Sequence, residues 1–261
     1  MLKIGLKLWA TNAHYVAEAE RLLGTGIADY IELYAYPNSF EQFINTWKRL
    51  QGPYIVHAAH FSHGLCLSKA SDFKHNQELI GEALRFADQL QAAKVIVHPG
   101  INGEIAETAR QLKLLYDPRL LIENKPYYVQ IGGICNGHSP EDIQFLKEEA
   151  NVGFCFDVGH AICAANALRK KQIGFIKDFL SLNPLLFHVS DGDWEGLYDD
   201  HMHLGGGSFV LKELIALLPQ ESRITLETPH DYQDSLRDFE QDALFLKSLF
   251  KVTEKESCAW Q

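Results

Sequence analysis

Several features that would quickly assign a function are missing from this chain. No CxxC pair exists among its five cysteines, Cys66, Cys135, Cys155, Cys163 and Cys258, and their number is odd. They read as reduced thiols of a cytoplasmic protein. No apolar run approaches the roughly 20 residues that cross a bilayer. The opening MLKIGLKLWA lacks the long apolar stretch of a signal peptide and reads as a first strand. Positive charge is also scarce: 24 Lys and Arg stand against 34 Asp and Glu, a net −10. That weighs against a uniformly basic nucleic-acid surface while leaving a local patch open, and bound cations would offset part of the deficit. The turn after the first strand, LKLWATNAHY, has no glycine after Gly5, so the phosphate fingerprint of a doubly wound dinucleotide fold is absent.

What is present is a sizeable apolar fraction, 46% of 261 residues, enough for one large core. Eight short apolar runs alternate with amphipathic segments: KIGLKL, DYIELYA, PYIVHAA, AKVIVHPG, LLIENKP, VGFCFDVGH, PLLFHVSD and RITLETP. NQELIGEALRFADQLQ carries apolar residues at three- and four-residue spacing. SPEDIQFLKEE offers Ser139 as N-cap and Pro140 at the first helical position. SFVLKELIALLP and SLRDFEQDALFLKSLF read as further helices, and NKPYYVQIGGICNGHSP as a large loop. The pattern predicts a single α/β domain over 1–261, a (β/α)8 TIM barrel, with an open doubly wound sheet as the runner-up.

From the third strand onward each apolar run ends in a metal-ligand type. These are His57, His98, Glu123, Asp157 with His160 three residues on, His188 and Glu227. The loop DDHMHLGGG adds Asp199 and His201. In a barrel the C-terminal strand ends share one mouth, so nine side chains would converge there. Carboxylates beside apolar strands are costly to bury unpaired, and a cluster of divalent ions resolves that cost. His60 and His63 face either substrate or solvent. His203 is a group behind the ligands or a surface residue. Asp191 orients a bound group or forms a turn before Gly192. Asn124 could bond a neighbouring loop. Tyr34, Tyr36, Tyr127 and Tyr128 are read as loop residues of the same face, able to stack on a base or sugar. His14, His75, His138 and His230 are assigned to the surface.

The motifs VHA, VHPG, IEN, DVGH, HVSD, DDHMHLGGG and LET together resemble the endonuclease IV type of apurinic endonuclease, within the xylose-isomerase-like barrel superfamily. The resemblance runs from His57 to Glu227, and Asp199, His201, Leu204, Gly205 and Gly207 carry its most specific piece. It implies up to three zinc ions held by His57, His98, Glu123, Asp157, His160, His188, Asp199, His201 and Glu227. The same superfamily contains sugar isomerases and epimerases with one divalent metal, often manganese; their ligands would fall on Glu123, Asp157, His188 and Glu227. The other five residues separate the two cases. The chain departs from endonuclease IV in YAYPNSF, which has no basic residue where that family enters DNA, in ENKPYYVQ, which replaces small residues, and in His60, which stands at an aromatic probe position. These departures weigh against duplex DNA and leave the ligand set whole.

Three readings follow. The first is a metal-dependent phosphoester hydrolase, with Glu123 and Glu227 essential, acting on abasic-site DNA or a smaller phosphorylated sugar or nucleotide; His60, Tyr127 and Asp191 are its candidate substrate contacts. The second is a sugar or sugar-phosphate isomerase or epimerase with Glu123 and Glu227 as the acid–base pair. The third is a barrel that binds a metabolite or stores metal.

Overall fold

The protein is described here from a computed structural model covering residues 2–258, with side chains to Lys251. Met1, residues 259–261 and the Cys258 thiol lie outside the described residues. Eight strands run in chain order: β1 (Lys3–Trp9), β2 (Tyr30–Tyr34), β3 (Tyr54–His57), β4 (Val95–Val97), β5 (Leu120–Glu123), β6 (Gly153–Asp157), β7 (Leu186–Val189) and β8 (Arg223–Leu226). Each pairs in parallel with the next, and β8 pairs with β1. That last pairing closes the barrel and removes the open-sheet alternative.

The described helices are α1 (Val16–Gly24), α2 (Phe40–Trp47), α3 (Phe73–Leu90), α4 (Ile105–Leu114), α5 (Pro140–Ala150), α6 (Val158–Ala167), α7 (Gln172–Leu180), α8 (Leu211–Leu217) and α9 (Arg237–Cys258). Ser139 does cap α5: its hydroxyl accepts from the Asp142 amide at 3.1 Å. α8 starts later than SFVLKELIALLP suggests, because Gly205–Phe209 are tied down in turns by Asp191. α9 extends past Phe250. Among the described residues no helix is long and apolar enough to cross a membrane.

Strand side chains alternate between two faces. One face packs under the helices in the main core, with Ile31, Val56, Val95, Val97, Ile122, Phe154, Phe156 and Phe187. The other forms an apolar layer of Tyr30, Ile55, Ile96, Leu121, Cys155 and Leu186. Two residues further along each of these strands stand Glu32, His57, His98, Glu123, Asp157 and His188, all buried. β1 and β8 follow the same step, from Gly5 to Lys7 and from Thr225 to Glu227. The period of two therefore stacks a ring of eight ionisable side chains on an apolar floor. Gly5 makes that floor possible: a Cβ there would lie 2.3 Å from the Tyr30 ring, whose hydroxyl is 3.0 Å from the Thr225 hydroxyl.

A candidate metal centre at the barrel mouth

Three corners of ligand atoms form within the ring. His57 Nε2 and His98 Nε2 each lie 3.1 Å from Glu123 Oε2. His188 Nδ1 lies 2.6 Å from Glu227 Oε1 and 3.6 Å from Glu123 Oε2, and Asp157, His188 and Glu227 bring ligand atoms within 4.8 Å of one another. His160 Nε2 is 3.0 Å, and His201 Nε2 2.5 Å, from Asp199 Oδ2. The nine residues singled out from the sequence are thus brought together.

Local structure explains these placements. Asp157 ends β6 and caps α6, accepting from the His160 amide at 2.6 Å. The Asp-x-x-His spacing therefore sets both side chains at one helix start. His201 sits in a loop at φ 48°, a left-handed conformation a non-glycine residue adopts only at a cost. The glycines that follow have separate tasks. Gly205 takes φ +84°, and a Cβ on Gly207 would lie 2.4 Å from the Gly192 carbonyl.

The donor set fits divalent cations. Histidines that bind metal are usually oriented by a partner on the other ring nitrogen, and three here are. His57 Nδ1 donates to the Ala58 carbonyl at 2.7 Å, His160 Nδ1 to the Asn124 carbonyl at 2.9 Å, and His188 Nε2 to Glu32 Oε2 at 2.9 Å. In the neutral rings the lone pairs then fall on the nitrogens aimed into the corners. His188 Nδ1 and His201 Nε2 are buried without a hydrogen-bond partner, although carboxylate oxygens lie beside them. Lone pairs facing lone pairs at such distances suit a cation shared between them. His, Asp and Glu in this mixture match zinc, and the carboxylates also suit manganese.

The electrostatics are those of charges held out of water. Burial pushes the Glu123 carboxyl up, but Lys125, His98 and His188 outweigh it and hold it well below the usual range. Burial likewise opposes the proton on His160; Asp157 and Asp199 outweigh it and lift the imidazole to about 10. His188 is raised against burial by its acidic neighbours, while burial and Lys125 hold His98 low. Burial, with Asp199 and Glu227, raises Asp157.

Three members of the centre were not singled out from the sequence. Lys7 forms an ion pair with Glu227 and lies 3.3 Å from Glu32 Oε1. Glu32 is fully buried and accepts from Thr225 at 2.7 Å. Lys125 places Nζ 3.2 Å from Glu123 Oε1, 3.4 Å from His98 Nε2 and 3.3 Å from His160 Nε2. A single charged residue between apolar neighbours, as in GLKLW and YIELY, was the available signal for the first two.

A cavity of about 650 Å³ opens over the cluster. His60 lines it, and burial with His57 nearby lowers its imidazole to about 3. Tyr34 is a buried end of β2 rather than a loop residue, and it supports Trp9, which is 41% exposed on the same wall. His230, assigned above to the surface, lines the cavity and faces the Lys7 carbonyl at 3.0 Å. Tyr127 instead packs on Tyr128 and His138. Asp191 is buried beneath the loop, accepting from the amides of Gly192, Gly205 and Phe209. His203 pairs with Asp242 and Asp231, away from the cluster. Asn124 accepts from the Asp157 amide and donates to its carbonyl, tying β5 to β6.

The family described as xylose isomerase-like TIM barrel matches residues 21–249. An uncharacterized protein of Methanocaldococcus jannaschii is 24% identical over 253 residues, covering 85% of this chain and 80% of its own. Among solved structures, a D-tagatose 3-epimerase-like protein superposes with TM-score 0.73 at 18% identity, covering 98% of this chain and 99% of its own. Endonuclease IV from Thermus thermophilus gives 0.68 at 21% identity, with 97% and 99% covered. At such identities these likenesses speak for the fold.

Proposed function

Because the chain belongs to the xylose isomerase-like TIM barrel family, we propose that it is a metal-dependent phosphoester hydrolase acting at an abasic site or on a smaller phosphorylated sugar or nucleotide. One observation carries this reading. The five residues that a one-metal isomerase does not need, His57, His98, His160, Asp199 and His201, all enter ligand corners. Divalent cations bound there would supply Lewis acidity and lower the pKa of water toward neutrality. Glu123 is the hub: one oxygen serves His57 and His98, and the other faces Lys125 and His160. Glu227 joins the His188 corner to Lys7. The two ammoniums offer positive charge to a phosphate in the cavity, and the half-exposed Trp9, backed by Tyr34, offers an aromatic surface for its sugar or base.

A second reading, a single-metal sugar epimerase, is favoured by Glu123 and Glu227 both approaching His188 Nδ1, as a proton-shuttling pair about one ion would. The test is to incubate zinc-loaded protein separately with an abasic-site oligonucleotide, a small phosphodiester and a panel of ketoses, with a manganese-loaded sample beside it. Phosphoester cleavage supports the hydrolase. Ketose turnover with no phosphoester cleavage overturns it in favour of the epimerase.

A further inference from the structure

Lys125 does not sit where an ordinary surface lysine sits. It is 8% exposed, and its Nζ is surrounded by Glu123 Oε1, His98 Nε2 and His160 Nε2 at 3.2–3.4 Å. An ammonium has three hydrogens to give; Glu123 Oε1 accepts from it, and the two imidazole nitrogens can do so in their neutral form, the form in which they would also hold a metal. Those nitrogens are the metal-directed ones of different corners, and the oxygen belongs to the carboxylate that joins the corners.

We propose that Lys125 is a resident cation of the centre: it takes His98 Nε2 and the Glu123 oxygen that faces away from His57, and it crowds His160 Nε2, so that the three corners together load two divalent ions rather than three. The charge balance points the same way. Five carboxylates, Glu32, Glu123, Asp157, Asp199 and Glu227, face two ammoniums, Lys7 and Lys125. Three negative charges are left over. Two divalent ions turn these into one positive charge, which a phosphodiester monoanion cancels. Three ions would leave three positive charges in a cluster largely shut off from water, where unbalanced charge is costly. This deepens the hydrolase reading and rests on it for the existence of a metal centre and for the monoanionic substrate.

The test is the zinc content per chain, by elemental mass spectrometry after equilibration with zinc and dialysis, for the wild type, Lys125→Met and Lys125→Arg. The expected result is two ions in the wild type, three in Lys125→Met and two in Lys125→Arg, which keeps the charge. Three ions in the wild type overturn the proposal, and this comparison stands even where a variant fails to fold. Lys125→Met loading no more than the wild type, or Lys125→Arg loading three, also overturns it. No bound zinc overturns it together with the metal centre. Two ions with ketose turnover alone would sink the hydrolase reading and leave the role of Lys125 standing.

Discussion

Asp191 is not a wall of the cavity, yet its removal is expected to empty one corner of the metal centre. Its carboxylate is 1% exposed and accepts from the amides of Gly192 at 2.8 Å, Gly205 at 2.9 Å and Phe209 at 3.1 Å. Its own backbone exchanges both hydrogen bonds with Met202. The segment so tied carries Asp199 and His201. In Asp191→Ala, the Gly205 and Phe209 amides lose acceptors supplied from across the loop. An unmade buried hydrogen bond costs about 1–3 kcal/mol. Both amides lie near the surface, where water can replace part of the loss, so the loop is destabilised by about 2–3 kcal/mol. At 1.4 kcal/mol per tenfold, zinc at the His160–Asp199–His201 corner weakens roughly 30- to 150-fold.

Chelator competition measures the affinity, and hydrogen exchange at the Gly205 and Phe209 amides reports the loop opening. Excess zinc should restore turnover, because no substrate contact has been removed. A folded Asp191→Ala protein with zinc affinity within about threefold of wild type would refute the reasoning. So would a turnover defect that zinc cannot rescue, which would return Asp191 to the substrate.

Glu32→Gln weakens the charge that orients His188 through Nε2, and metal affinity is expected to fall about 10- to 100-fold; a calorimetric titration that leaves it unchanged would exclude that role. Glu123→Gln removes the hub, and turnover should drop on the order of a thousandfold, as several kcal/mol of cation-assisted stabilisation implies; full turnover with metal still bound would refute both readings of the enzyme. Metal binding should release protons at pH 7, because His160 is raised to about 10 and His188 also lies above its ordinary value, and bound imidazoles must be neutral. Affinity then falls as pH falls, and calorimetry in two buffers of different ionisation enthalpy counts the protons; a count of zero contradicts the assignment. In the metal-free protein the sign is opposite: the raised His160 stabilises the fold fully below about pH 6.5, and that contribution is lost as pH rises through about 10, which a pH series of thermal midpoints would reveal.

The barrel and six of the nine candidate ligands were legible because each of the six ends an apolar strand, and the step of two from floor to ring is written in the chain; His160, Asp199 and His201 were legible from the DVGH and DDHMH motifs instead. Ile55 and His57, Ile96 and His98, and Leu121 and Glu123 show it directly. Lys7 and Glu32 obey the same step, yet a charge inside a strand also fits a solvated face. Only closure decides between these, since β1 pairs Lys7 with Glu32 on one side and Leu6 with Leu226, next to Glu227, on the other. Lys125 was less legible still. It lies past the end of β5 in a long irregular loop, and its direction depends on the Lys125 amide meeting the Gly137 carbonyl and on Asn124 bonding β6. The loop residues behaved similarly. Asp191 and His203 share the composition of ligands, but the amides and carboxylates that engage them come from distant sequence.

The two kinds of residue differ in what a substitution would change. The nine candidate ligands are of types that could hold cations, and much of that set is shared with one-metal enzymes. The lysines set how much charge remains for cations and substrate to balance. In the proposed reaction Lys7 and Lys125 therefore count as much as the histidines. An ammonium fixed on Glu227 and another on Glu123 hold the two carboxylates that an epimerase would need free to exchange protons at carbon. Carboxylates held ionised by cations on either side suit the positioning of charge better than proton shuttling. That is the physical reason for placing phosphoester hydrolysis ahead of epimerisation.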